Sequence, residues 1–203
     1  MQVMKTHCLL LVGTGSDPPA VPGWQVGVRC PASLPALDEI DVALVAVGGG
    51  TVSPSALRAR PGASCLPIIA LAPVDWIERE DWRALGYDGA VAADASPAAM
   101  ADALADWHRA GTLATLDRLE SSFGAAEIES LLGRFGVMLA AVRAERDPTA
   151  LAGMAHRVAG IAGTLGFAAL GRLWLRFSEG ESGLAGSARR AAAYAITTIA
   201  RRG

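Results

Sequence analysis

The stretch Ala155-His156-Arg157-Val158-Ala159-Gly160-Ile161-Ala162-Gly163-Thr164-Leu165-Gly166 carries the most information in this chain. Read as a helix at about 100° per residue, it sets Met154, Val158, Ile161 and Leu165 on the side away from His156. Ala152, Gly153, Ala159, Gly160 and Gly163 surround the imidazole on its own side. The histidine therefore stands in a clearing of small side chains. Glycine inside a helix costs about 1 kcal/mol relative to alanine, so glycines at i−3, i+4 and i+7 ask for a reason. Close approach by another macromolecule is one. A solvated histidine in a chain rich in alanine and glycine is the plain alternative.

The surroundings extend the helical pattern. From Thr112 the pattern stays helical to the end. That stretch includes Glu129 to Arg146, with Leu131, Leu132, Phe135, Leu139 and Val142. Asp147 suits an N-cap and Pro148 the first helical position of the histidine helix. Gly166-Phe167 marks its end. Leu170, Leu173, Trp174 and Phe177 form the stripe of the next helix, Gly180 to Gly183 a turn, and Leu184 to Arg202 the last helix. Short connections between helices predict antiparallel neighbours, hence a four-helix bundle behind a short leading helix.

His156-x-x-x-Gly160 followed by Gly166, with Ala155 before and a Leu-Gly step at the end, resembles the motif of the histidine phosphotransfer (HPt) domain. Leu116-Asp117-Arg118-Leu119 and Phe123-Gly124 are similar to that family's entry helix, and the resemblance covers residues 112–180. It implies that His156 carries a phosphoryl group between receiver-domain aspartates. Ala152, Gly153, Arg157, Ala159, Gly160 and Gly163 would then form the phosphohistidine surroundings and docking surface. One position departs from the family. It usually has a lysine three residues after the histidine, where this chain has Ala159, and the chain's single lysine is Lys5. A cation near the phosphoryl group helps hold its charge of about −1.5 to −2. Arg157 lies about 100° around the helix from His156, which makes it an imperfect replacement.

The first half reads differently. Cys8–Val12, Gln25–Val28, Val42–Val47, Pro67–Ala72 and Gly89–Ala92 are apolar runs of strand length. Between them Asp75–Leu85 and Pro97–Trp107 read as helices, with Trp76, Ile77, Met100, Leu104 and Trp107 on buried faces. The alternation predicts a doubly wound five-stranded parallel sheet. Pro18, Pro19 and Pro22 exclude a full helix over Gly13–Gly23. Arg109-Ala110-Gly111 is the expected linker, dividing the chain into residues 1–110 and 111–203. The expected class is α/β plus all-α.

This half resembles a response-regulator receiver domain stripped of its chemistry. Asp41-Val42-Ala43-Leu44-Val45-Ala46 is similar to that family's third strand, but Ala46 stands where the phosphoacceptor aspartate belongs. Only Asp17 lies near the place of the acidic pair, and Ala92 to Asp94 replace the lysine after the fifth strand. The resemblance thus implies a pseudo-receiver without a Mg²⁺ site. Mg²⁺ would belong to a partner receiver, and this chain would need no cofactor or metal. Gly13-Thr14-Gly15 lacks the third glycine and following helix of a dinucleotide loop. Gly48-Gly49-Gly50 reads as a flexible loop at a strand end.

Composition narrows the remaining classes. The 203 residues are 52% hydrophobic with a net charge of −2, enough apolar material for two small cores. Near-neutral charge gives no footprint for nucleic acid. Cys8, Cys30 and Cys65 lack metal-ligand spacing and are expected to be buried, reduced thiols. The run Cys8 to Val12 is too short for a signal peptide, and no run reaches membrane-span length. A cytoplasmic protein without membrane association is expected. The two resemblances imply receiver domains and a histidine kinase as partners. The competing expectation is a non-catalytic adaptor that binds such partners without phosphotransfer.

Overall fold

A computed structural model describes residues 7–13, 20–29, 37, 40–48, 52–107 and 109–202. The chain divides into two compact units, Met1–His108 and Arg109–Gly203. The division falls two residues before the expected one. The anticipated linker is helical: Arg109-Ala110-Gly111 forms the first turn of a helix that runs to Phe123.

The first unit is built on five parallel strands, β1 (His7–Val12), β2 (Trp24–Arg29), β3 (Val42–Ala46), β4 (Ile68–Ala72) and β5 (Gly89–Ala92), in the order β2-β1-β3-β4-β5. That order is the 2-1-3-4-5 arrangement of open α/β sheets, with its switch point between β1 and β3. The central strands read as continuous apolar runs because a parallel sheet is covered on both faces. Every residue of β4 is buried, and Val42 to Val45 of β3 are buried with it. Alternation sends Leu10, Val12, Ala43, Val45, Ile68 and Ala70 to one face, where they pack with Leu57 and Tyr87.

Three short helices accompany the sheet: α1 (Pro54–Arg58), α2 (Val74–Arg79) and α3 (Pro97–Ala105). The Ser53 and Ser96 side chains accept from the amides of Ala56 and Ala99 and start α1 and α3, each with proline next in line. Met100, Leu104 and Trp107 are buried as expected. The helix expected over Asp75–Leu85 stops at Arg79, because Glu80 is extended and Asp81 caps a separate turn through the amide of Ala84. Trp76 and Ile77 are consequently half-buried rather than buried. At the start of β5 the buried Asp88 carboxylate pairs with Arg58 and accepts from the amide of Ile68 at 3.0 Å. Arg58 also donates to the carbonyl of Gly86 at 2.6 Å. Cys65 is half-buried and reduced, more open than expected.

The second unit is helical: α4 (Arg109–Phe123), α5 (Ala125–Ala144), α6 (Pro148–Thr164), α7 (Ala168–Ser178), a 3₁₀ turn at Ser182–Leu184, and α8 (Ala185–Ala200). The leading helix α4 has 15 residues and is not short. α5 packs on α4, α6 and α8, and α7 packs on α6 and α8. Leu132, Phe135, Leu139 and Val142 of α5 are buried. So are Leu170, Leu173, Trp174 and Phe177 of α7. Phe135 meets Phe167 with ring centroids 6.0 Å apart. Among the described residues, no helix is long and apolar enough to cross a membrane.

Candidate functional site

The site is a cavity between α6 and α7. Its first wall depends on where α6 starts and stops. Asp147 caps the helix, its carboxylate accepting from the amides of Thr149 at 3.0 Å and Ala150 at 3.4 Å, and Pro148 occupies the first turn. Gly166 ends it at φ +82°. The amide of Phe167 then donates to Ala162 O at 2.9 Å and that of Gly166 to Gly163 O at 3.2 Å, the paired bonds of a Schellman motif. A side chain at Gly166 would also collide with Thr115, whose Cβ lies 2.8 Å from the position of an added Cβ. Thr112 Oγ1 donates to the Gly166 carbonyl at 2.9 Å and ties α4 to this corner.

Between these stops, α6 buries Leu151, Ala155, Val158, Ala159 and Ala162. Leu165 just beyond is buried too. The buried face differs from the expected stripe. Met154 and Ile161 are only half-buried, and Ala159, expected in the clearing, is 8% exposed. The reason is the approach of α7. A Cβ added to Gly171 would lie 3.4 Å from both the carbonyl oxygen of Ala159 and the amide nitrogen of Gly163. The two backbones meet there with no side chain between them, and the contact covers Ala159.

His156 is exposed, as are Ala152, Gly153, Arg157, Gly160 and Gly163. A Cβ added to Gly153, Gly160 or Gly163 would meet nothing within 4 Å. The clearing is therefore real on its outer side. Beside it opens a cavity of about 380 Å³, lined by His156, Ala159, Gly160 and Gly163 from α6 and by Ala168, Gly171, Arg172 and Leu175 from α7. Ala152, Gly153 and Arg157 do not line it. Each wall repeats one spacing, i, i+3, i+4 and i+7, which is a single helix face.

Two of these lining groups carry chemistry, the imidazole of His156 and the guanidinium of Arg172. The imidazole offers a ring nitrogen as nucleophile. The guanidinium offers up to five N–H donors suited to phosphate or carboxylate oxygens. The rest of the lining is apolar or backbone, and no carboxylate lines the cavity to repel an anion. The next arginine on α7, Arg176, does not line the cavity. Arg176 Nε and Nη2 donate to the Glu181 carboxylate at 2.7 and 2.5 Å, and this hydrogen bond raises the Arg176 pKa. Among the described residues, no group of three or more His, Cys, Asp or Glu side chains is placed to hold a metal ion.

Sequence reasoning missed Arg172, Gly171, Ala168 and Leu175. The signal was present as a second face on α7, offset from the Leu170–Phe177 stripe and interrupted by a helical glycine. The open end of the sheet offers less. Val12 and Ala46 close β1 and β3 at the switch point, and Ala92-Ala93-Asp94 follow β5, with Asp94 exposed. Asp17, Thr14-Gly15, Gly49-Gly50, Cys30 and His108 lie outside the described residues, as does the side chain of Cys8. No family model matches the chain, and neither a curated protein nor a solved structure does.

Proposed function

We propose that the chain is a histidine-containing phosphotransfer protein of a two-component phosphorelay, and that His156 carries the phosphoryl group between receiver-domain aspartates. The observation that carries this reading is the exposed His156 at the mouth of a cavity whose outer rim is kept bare by Gly160 and Gly163. A docked receiver could bring its phosphoaspartate to the imidazole without meeting a bulky side chain. A ring nitrogen of neutral His156 attacks phosphorus, the N–P bond forms, and the P–O bond to the aspartate breaks with its electron pair leaving on the carboxylate. The other ring nitrogen keeps its proton. Position supplies much of the rate in such a step. Mg²⁺ belongs to the receiver, and this chain supplies the nucleophile and the surface.

The pairwise packing of α5 with α6, α6 with α7, α7 with α8 and α8 with α5 supports a four-helix bundle of the HPt kind. The 2-1-3-4-5 sheet supports a receiver-like first unit, with Ala46 at the end of β3 in place of the acceptor. That unit then acts by contact rather than by phosphorylation. The relay would work in the cytoplasm, with a histidine kinase upstream and no nucleic acid or membrane as partner.

A non-catalytic adaptor is the second reading. The observation favouring it is Ala159, buried at the position where a lysine would hold the phosphoryl group. One experiment separates the two. Receiver domains charged with acetyl phosphate and Mg²⁺ are mixed with the full chain, and acid-labile, alkali-stable label is sought on His156. Label on wild type and none on His156→Gln supports transfer. Receiver binding without label supports the adaptor.

A further inference from the structure

Ala159 leaves α6 without a cation beside the imidazole, yet the cavity is not without one. Arg172 rises from α7 on the wall facing His156, and the two side chains line the same space of about 380 Å³. The geometry that brings it there is specific. Gly171, one residue before, lets the α7 backbone come against the backbone of Ala159 and Gly163, beside the helix position that carries Arg172. Ala168 and Leu175, one turn to either side on the same face, are small or apolar and bring no competing charge into the space. Arg172 is exposed where it lines the cavity, so its guanidinium can be reached from solvent.

We propose that Arg172 is the cation that binds the phosphoryl group as it forms its bond to His156, supplying from α7 the charge that Ala159 fails to supply from α6. The inference rests on the phosphotransfer reading and adds a residue to it. The guanidinium donates to the non-bridging phosphoryl oxygens, whose charge spreads over three equatorial positions in the transition state, and a planar fork matches that geometry better than a point charge. The arginine makes no covalent bond and loses no proton. A lysine at 159 and an arginine at 172 would be alternative sources of one interaction, which explains how the lysine position can be alanine in a working protein.

The test uses the full chain and potassium phosphoramidate, a phosphodonor that needs no partner protein. In that step the N–P bond to His156 forms, the donor's own P–N bond breaks, and ammonia leaves. Wild type should accept label on His156. Arg172→Ala should slow labelling about tenfold, and Arg172→Gln, which keeps most of the stem, should slow it equally. Arg172→Lys should stay within about threefold of wild type. Ala159→Lys placed in the Arg172→Ala background should restore the rate. Arg143→Ala, on exposed α5 surface, should change nothing. Added salt should slow the wild type and leave Arg172→Ala flat, a dependence that mere packing by the stem would not produce. Equal rates for wild type and Arg172→Gln would overturn the role of Arg172; if charged receivers still label His156, the phosphotransfer reading stands without it. If charged receivers never label His156, that reading fails and the inference falls with it.

Discussion

The two units place small residues at their open ends for opposite reasons. At the carboxyl ends of β1 and β3, where open α/β sheets bind ligands, the chain has Val12 and Ala46, and the nearest described carboxylate after β5 is the exposed Asp94. Between α6 and α7, glycine and alanine also line the opening, but they frame an imidazole and a guanidinium. The sheet unit has a buried ion pair, Arg58 with Asp88, at the opposite end of the strands, where it ties the start of β5 to α1 and β4. Small residues alone make no site. They become one where they leave room around groups that can react, and here only the helical unit does that among the described residues.

The largest expected effect tests that contrast directly. His156→Gln should abolish label transfer from charged receivers, a loss of more than about a hundredfold, because it removes the nucleophile. The side chain is exposed, so the melting temperature should hold within a few degrees. Retained label would move the reacting group elsewhere and sink the phosphotransfer reading.

The ion pair gives the converse. Asp88→Ala should destabilise the sheet unit by about 3 kcal/mol, since it removes the carboxylate that balances the Arg58 charge in a site where both side chains are largely covered. Denaturant melts followed by near-UV signals would read it. The same variant should leave His156 labelling near the wild-type rate, because Asp88 belongs to the other unit. A loss of labelling in step with the loss of sheet stability would show the units to be coupled, and would give the first unit a part in transfer.

Two glycines of the second unit sharpen the distinction between open and closed small residues. Gly160→Leu points into open space, so it should leave the helix intact or slightly firmer while slowing transfer from a receiver about tenfold or more by bulk. Gly171→Leu drives a side chain against the α6 backbone and should cost about 1–3 kcal/mol. If both variants lose stability alike, the clearing around His156 is part of the packing rather than a docking surface.

Much of this was legible in the sequence, and what was not has a common cause. Strand positions could be read to within a residue or two because β3 and β4 are apolar throughout, and the start and stop of α6 were written in Asp147-Pro148 and Gly166. The same grammar of a capping residue followed by proline stands at Ser53-Pro54, but α1 is too short for periodicity to reveal. Asp75–Leu85 looked like one helix because Glu80 carries no breaker; its extended backbone is set by the surrounding structure. His156 was legible because its helix face is local. Arg172 was not, since only the meeting of two helices through Gly171 brings it to the cavity. That same meeting buried Ala159 against expectation. Sequence shows which face a residue occupies, and the partner of that face is a tertiary fact.

The smallest effect concerns pH and again separates the units. Tyr87 is buried against the sheet, its ring edge-on to Trp76 with centroids 6.1 Å apart, and burial raises its pKa above the usual 10.0. The folded state thus favours the neutral phenol more than the unfolded chain does. That contribution is fully present below about pH 10 and is lost as pH rises from there through the folded-state value. The sheet unit should weaken progressively above pH 10, while at neutral pH Tyr87→Phe should change its stability by no more than about 1 kcal/mol. Tyrosinate absorbance is the measurement. In the folded protein part of it should emerge above pH 10, and Tyr87→Phe should remove that part together with the alkaline loss of the sheet unit's stability. If the variant weakens over the same alkaline range as wild type, ionisation of Tyr87 is not what destabilises the sheet there.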